Sequence, residues 1–146
     1  MPPLQTFIVE DSPVILENLV ATLEELSAVK VIGHAEDEPA ALAWLSESGQ
    51  TCDLLIIDIF LKRGSGLGVL HSTANTRRSL KRVVLTNYAT ADLRQRCQAL
   101  GADKVFDKSS ELEELISYCD VLAESKANEA NEANAARNGN SSRLSD

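Results

Sequence analysis

Carboxylates stand where apolar runs stop. In "LLIIDIFLKRGSG", residues 54–66, Asp58 directly follows four apolar residues and precedes a glycine-rich turn. In "FIVEDSP" the pair Glu10 and Asp11 follows another apolar run, "VVLTN" reaches Thr86, and "KVFDK" ends in Asp107 and Lys108. Gathered in one cleft, Glu10, Asp11 and Asp58 would repel one another and resist joint ionisation. A hard divalent cation relieves that repulsion, and Mg²⁺ takes one or two carboxylates plus waters and phosphate oxygens. The three acids with Lys108 carry a net charge of −2, which one Mg²⁺ balances. An Asp carboxylate can also attack phosphorus to give an aspartyl-phosphate. Phosphoryl transfer mainly needs positioning and neutralisation, which the metal, Lys108, the Thr86 hydroxyl and N–H groups near Asp58 would supply.

Such a cleft requires a particular set of elements. Strand-like and helix-like stretches alternate five times. "LQTFIV" precedes a helical repeat over "DSPVILENLVATLEEL", with Val14, Leu16, Leu19, Val20, Leu23 and Leu26 on its apolar stripe, Ser12 as N-cap and Pro13 at the first position. "VKVIGHA" and "DEPAALAWLSES" form the second pair, and "DLLIID" and "GLGVLHSTANT" the third. "KRVVLTN" with "TADLRQRCQALGA" and "KVFD" with "SSELEELISYCDVLAES" complete the series. Ser109 or Ser110 is placed to cap the last helix, whose stripe is Leu112, Leu115, Ile116, Cys119 and Leu122. Five βα units predict an α/β fold, a doubly wound parallel sheet covered by helices on both faces. Its ligand site lies outside the carboxyl ends of the strands, where strand order reverses. In the common order 2-1-3-4-5 the first and third strands are neighbours there, which collects Glu10, Asp11 and Asp58 beside Thr86 and Lys108.

Composition narrows the function. A net charge of −8 argues against nucleic-acid binding through a broad basic face, and 4% aromatic residues against a base-stacking platform. The cysteines, Cys52, Cys97 and Cys119, form no CxxC pair and read as reduced, small hydrophobes. The N-terminus lacks the pattern of a secretory signal, and no apolar run approaches the roughly 20 residues of a membrane span, so the expected location is the cytoplasm. Residues 1–125 form the expected domain. The segment 126–146, polar and repeating Asn-Glu-Ala, is expected to be disordered.

Taken in order, "FIVEDSP", "LLIIDIFLKRGSG", "VVLTNYA" and "GADKVFDKS" resemble the receiver domain of bacterial two-component response regulators, the CheY-like, flavodoxin-like fold, over about residues 4–124. The resemblance implies Asp58 as phosphoacceptor, Glu10 and Asp11 as the acidic Mg²⁺ pair, and a backbone carbonyl from Phe60 to the metal. It makes Thr86 the switch hydroxyl and Lys108 the phosphate-pairing lysine. It also implies a sensor histidine kinase or histidine phosphotransfer protein upstream and a downstream protein partner, with no direct contact to nucleic acid or membrane. The protein would be a phosphoacceptor, not a turnover enzyme; as a departure from the family pattern, it is expected to be a stand-alone receiver without an effector domain.

Three residues depart from the family pattern. Ser109 follows Lys108 where proline is usual, Asn87 follows Thr86 where a very small residue is usual, and Val105 stands in place of an aromatic rotor. Phe106 is adjacent to it but should face the other way, since side chains alternate along a strand. A non-phosphorylated binding module of the same fold is one alternative. A haloacid-dehalogenase-type Mg²⁺ phosphatase is another, but that family expects its nucleophile near the first strand with a second Asp two residues on, where this chain has Phe60. A flavin carrier would need more aromatic residues at the strand ends. Trp44 reads as packing, His34 and His71 as non-functional, and Arg77, Arg78, Lys81 and Arg82 as a solvated basic run.

Overall fold

Strand and helix alternate through β1 (Leu4–Val9), α1 (Pro13–Leu26), β2 (Val29–Ala35), α2 (Glu38–Ser48), β3 (Leu54–Ile57), α3 (Gly66–Ser72), β4 (Lys81–Thr86), α4 (Ala91–Ala99), β5 (Lys104–Asp107) and α5 (Leu112–Ser145). The structure is a computed structural model and describes residues 2–48, 51–75 and 79–145. Arg77 and Arg78 of the basic run lie outside the described residues.

The strands form one parallel sheet in the order β2-β1-β3-β4-β5, the arrangement expected. All four residues of β3 are buried, as a strand covered on both faces requires. Alternation sorts the sheet's side chains into two layers. Phe7, Val9, Leu55, Ile57, Val84 and Val105 pack against α2, α3 and α4. Leu4, Ile8, Leu54, Ile56, Val83, Leu85 and Phe106 pack against α1 and α5. Val105 and Phe106 therefore do face opposite ways. Each fully buried Leu or Ile stabilises the fold by about 1.5–3 kcal/mol before entropy is counted. Trp44 stacks on Phe7 at 4.1 Å over Gly33, where a Cβ would lie 2.7 Å from its Nε1. The three cysteines are buried, and burial pushes the Cys119 thiol up to about 12.

Some expectations need correction. In α1 only Leu19 and Leu23 are buried; Val14 is exposed because nine residues at about 3.6 per turn put it on the face opposite Leu23, and Leu26, the last residue of the helix, is also exposed. Helix α5 starts at Leu112 and not at a serine cap, since Ser109 Oγ is spent on Asp107 Oδ1 (2.6 Å), which also accepts from the Ser109 and Ser110 N–H groups. Helix α5 itself runs on to Ser145. Lys126 anchors it through Asp53 Oδ2 (2.7 Å) and the Pro3 carbonyl (2.9 Å). From Asn128 to Ala133 every side chain is exposed, so alanine propensity rather than packing favours helix there.

Arg82 is also not a solvated residue. It is 7% exposed, and its guanidinium donates to the Leu70 carbonyl (2.8 Å), Thr73 Oγ1 (3.0 Å) and the Gly101 carbonyl (2.9 Å). It ties the C-terminal ends of α3 and α4 to β4, where a cation also suits the helix dipoles.

Candidate functional site

The strand order determines which acids meet. Thr6–Val9 of β1 run beside Leu54–Ile57 of β3, so Glu10 and Asp58 leave the sheet as neighbours. Asp58 N–H donates to the Val9 carbonyl and Glu10 N–H to the Ala35 carbonyl, both at 2.9 Å, which extends the ladder to the acids themselves. One carboxylate oxygen from each of Glu10, Asp11 and Asp58 lies within 4.8 Å of the others, the one such metal-competent group among the described residues. Glu10 and Asp58 are buried and Asp11 is half-buried.

Lys108 reaches into this cluster from the end of β5. Its Nζ bonds Glu10 Oε1 and, at 2.9 Å, Asp58 Oδ2. Burial pushes the Lys108 ammonium toward neutrality, but its bonds to Glu10 and Asp58 and their charges outweigh this and leave its pKa above the ordinary lysine value. The lysine therefore stays charged at neutral pH. Glu10 Oε2 also accepts from Ser12 N–H (3.0 Å), so the acid braces the start of α1. Lys108 does not bond Asp11, whose pKa is raised by burial and by the hydrogen bond and charge of Glu10. Three carboxylates with one ammonium leave a surplus negative charge, and its donor set is all oxygen. That fits a hard divalent cation at the acidic cluster of Glu10, Asp11 and Asp58.

A raised carboxyl pKa means that ionised Asp11 costs the folded state stability at neutral pH, a cost that fades as pH falls through the raised value toward 3.8. Asp11→Asn is therefore expected to raise metal-free stability by roughly 0.5–1 kcal/mol while losing most Mg²⁺ binding. Asp107→Ala should leave Mg²⁺ binding intact, because Asp107 turns to Ser109 and Ser110. Thermal melts with and without Mg²⁺ check both variants.

Thr86 is fully buried at the end of β4, its Oγ1 accepts from Tyr88 N–H (3.3 Å), and its carbonyl accepts from Lys108 N–H (2.9 Å). Phe60 and Tyr88, both exposed, meet edge-on with centroids 5.0 Å apart and join the loops after β3 and β4. One connection had no signal in the sequence. Arg94 on α4 donates to the Ala89 carbonyl (3.1 Å) and the Val105 carbonyl (2.8 Å), and it also bonds Glu111 Oε1. Glu111 in turn accepts from Asp107 N–H (3.0 Å), and bonding to Arg94 and Asp107 holds its carboxyl below the usual range. Arg94 and Glu111 lie in different elements with no shared periodicity, so only the fold pairs them.

The model of the response regulator receiver domain matches residues 6–120. The chain belongs to that family. Receiver domains of two-component systems are in general phosphorylated, bind Mg²⁺ at an acidic pocket and interact with histidine kinases or phosphotransfer proteins. Solved structures of the same fold include a LuxR-family DNA-binding response regulator from Staphylococcus aureus, 17% identical with a TM-score of 0.73, covering 82% of this chain and 98% of that one. A LuxR-family two-component response regulator from Aurantimonas is 20% identical with a TM-score of 0.74, covering 83% and 86%. A CheX-CheY-BeF₃-Mg²⁺ complex from Borrelia burgdorferi is 18% identical with a TM-score of 0.69, covering 80% and 89%. No match is found among curated proteins. No helix among the described residues is long and apolar enough to cross a membrane.

Proposed function

We propose that this receiver accepts a phosphoryl group on Asp58 from a histidine kinase or histidine phosphotransfer protein and acts in the cytoplasm through a phosphorylation-dependent protein contact or relay. The observation that carries this reading is the convergence of Glu10, Asp11 and Asp58 on one another with Lys108 bonded to two of them. Glu10, Asp11, Asp58 and the Phe60 carbonyl are the residues that would hold Mg²⁺, which when bound supplies charge neutralisation to the phosphoryl oxygens. An ionised Asp58 oxygen attacks phosphorus. The phosphorus–nitrogen bond of a donor phosphohistidine breaks, and its electron pair stays on the imidazole nitrogen. Lys108, held between Glu10 and Asp58, then pairs with the phosphoryl oxygens. In this reading the protein is an acceptor and not a turnover phosphatase. Acetyl phosphate with Mg²⁺ should add one phosphoryl group per chain, and sustained release of phosphate from simple esters would favour the phosphatase alternative instead.

The bonds of Thr86 indicate how the signal would leave the site. If its hydroxyl turns to a phosphoryl oxygen, the Tyr88 N–H loses its acceptor. The next carbonyl, that of Ala89, is held by Arg94. Val105 is small and stiff at χ1 and cannot sweep the volume an aromatic rotor would. Backbone NMR shifts on adding beryllofluoride should therefore be largest at Tyr88, Ala89 and Arg94. Changes confined to Val105 and Phe106 would place the switch on β5.

A further inference from the structure

Outside the acidic cluster, one carboxylate is built into the loop that follows Asp58. Glu38 opens α2 and is tied to that loop twice. Its N–H donates to the Arg63 carbonyl (3.0 Å), and its Oε1 accepts from Ser65 N–H (3.0 Å). Between these two anchors Gly64 turns with φ 75°, a region that glycine enters without penalty.

Glycines also make the space that Glu38 occupies. A Cβ at Gly64 would lie 2.6 Å from Glu38 Cβ, and a Cβ at Gly68 would lie 2.2 Å from Oε1 and 2.5 Å from Oε2. A side chain at either position would displace Glu38. A Cβ at Gly66 would stand 2.2 Å from the Asp58 carbonyl oxygen, so the same turn lies against the backbone of Asp58. Ser65 links the two ends of the loop. While Glu38 holds its N–H, its Oγ donates to the Ile59 carbonyl (3.3 Å) and its backbone bridges Phe60. The Gly66 N–H donates to the same Ile59 carbonyl at 2.9 Å. The neighbouring Lys62–Glu36 pair is exposed and adds little order.

We propose that Glu38 is a positioning residue for the metal site: through Ser65 it fixes the backbone of the Asp58–Gly66 loop, and with it the Phe60 carbonyl, in the conformation the acidic cluster uses. This inference rests on the reading that Glu10, Asp11, Asp58 and Phe60 hold Mg²⁺. Groups that orient metal ligands without touching the metal typically change its affinity by about 10–100-fold when removed.

The test uses the full chain with Glu38→Ala, Glu38→Gln and Gly68→Ala. Gly68→Ala drives the carboxylate out while favouring the helix it sits in, so it separates loop order from general weakening. Amide hydrogen exchange of Ser65 is measured without metal, and Mg²⁺ is then titrated while backbone amide shifts are followed. Glu38→Ala and Gly68→Ala should each lose protection at Ser65 and need about tenfold more Mg²⁺ for half-saturation. Glu38→Gln, which keeps an acceptor for Ser65 N–H, should stay within about twofold of the wild type. A wild-type midpoint in both Glu38→Ala and Gly68→Ala would overturn the role of Glu38 and leave the metal reading standing. A wild-type chain whose acidic cluster takes up no Mg²⁺ would overturn both.

Discussion

Asp58→Asn should take no phosphoryl group from acetyl phosphate in the presence of Mg²⁺, while its stability changes by no more than about 1 kcal/mol. The two side chains have nearly the same shape, and the amide oxygen can still accept from Lys108, which now bonds Asp58 Oδ2 at 2.9 Å. The fold around the position is held by backbone bonds and by the buried run Leu54–Ile57, neither of which the change touches. What disappears is the anionic oxygen that attacks phosphorus. Losing label while keeping a cooperative melt is therefore the expected result, read by intact mass and thermal unfolding. Undiminished labelling of the Asn variant would remove Asp58 from the mechanism.

The largest effect on stability should come from a residue far from the chemistry. Arg82→Ala is expected to cost about 3 kcal/mol, because it leaves the Leu70 carbonyl and Thr73 Oγ1 without their charged donor in a buried place and also breaks the part-buried bond to the Gly101 carbonyl. For a chain of this size that corresponds to a fall in melting temperature of roughly 6–12 °C. The Arg82 pKa lies below the ordinary arginine value because burial disfavours the charge. The site therefore retains a cation at a cost in desolvation, which three carbonyl and hydroxyl acceptors offset. Arg82→Met, with similar bulk and no donors, should recover only the packing part of the loss. If Arg82→Ala melts within about 2 °C of the wild type, the guanidinium bonds are not what joins α3 and α4 to β4.

The sheet was legible because its evidence is local. Leu54–Ile57 is a continuous apolar run, Ser12-Pro13 is a helix start, and five such units in alternation leave few topologies. Ser12 does cap α1, accepting from Ile15 N–H. The acids were legible for the same reason, since a charge directly after a buried run must lie at a strand end. The residues that brace the site were not. Glu38 is an ordinary first-turn acid until the fold sets it against Gly64 and Gly68. Arg82 looks like one more residue of a basic run, because burial of its guanidinium depends on the ends of two helices distant in sequence. The segment 126–146 shows a different limit. Its composition lacks an apolar stripe, which argues against packing, but alanine-rich sequence is compatible with helix even where side chains are exposed, as they are from Asn128 to Ala133.

The central claim is that the cleft formed by Glu10, Asp11, Asp58 and Lys108 exists to place a phosphoryl group on Asp58. It is tested most directly by treating the wild-type chain with acetyl phosphate, with Mg²⁺ or with a chelator, and locating any added phosphoryl group by mass spectrometry of its peptides. The account predicts one group, added only when Mg²⁺ is present and carried by Asp58. No added group with Mg²⁺, or a group carried by another residue, would contradict it.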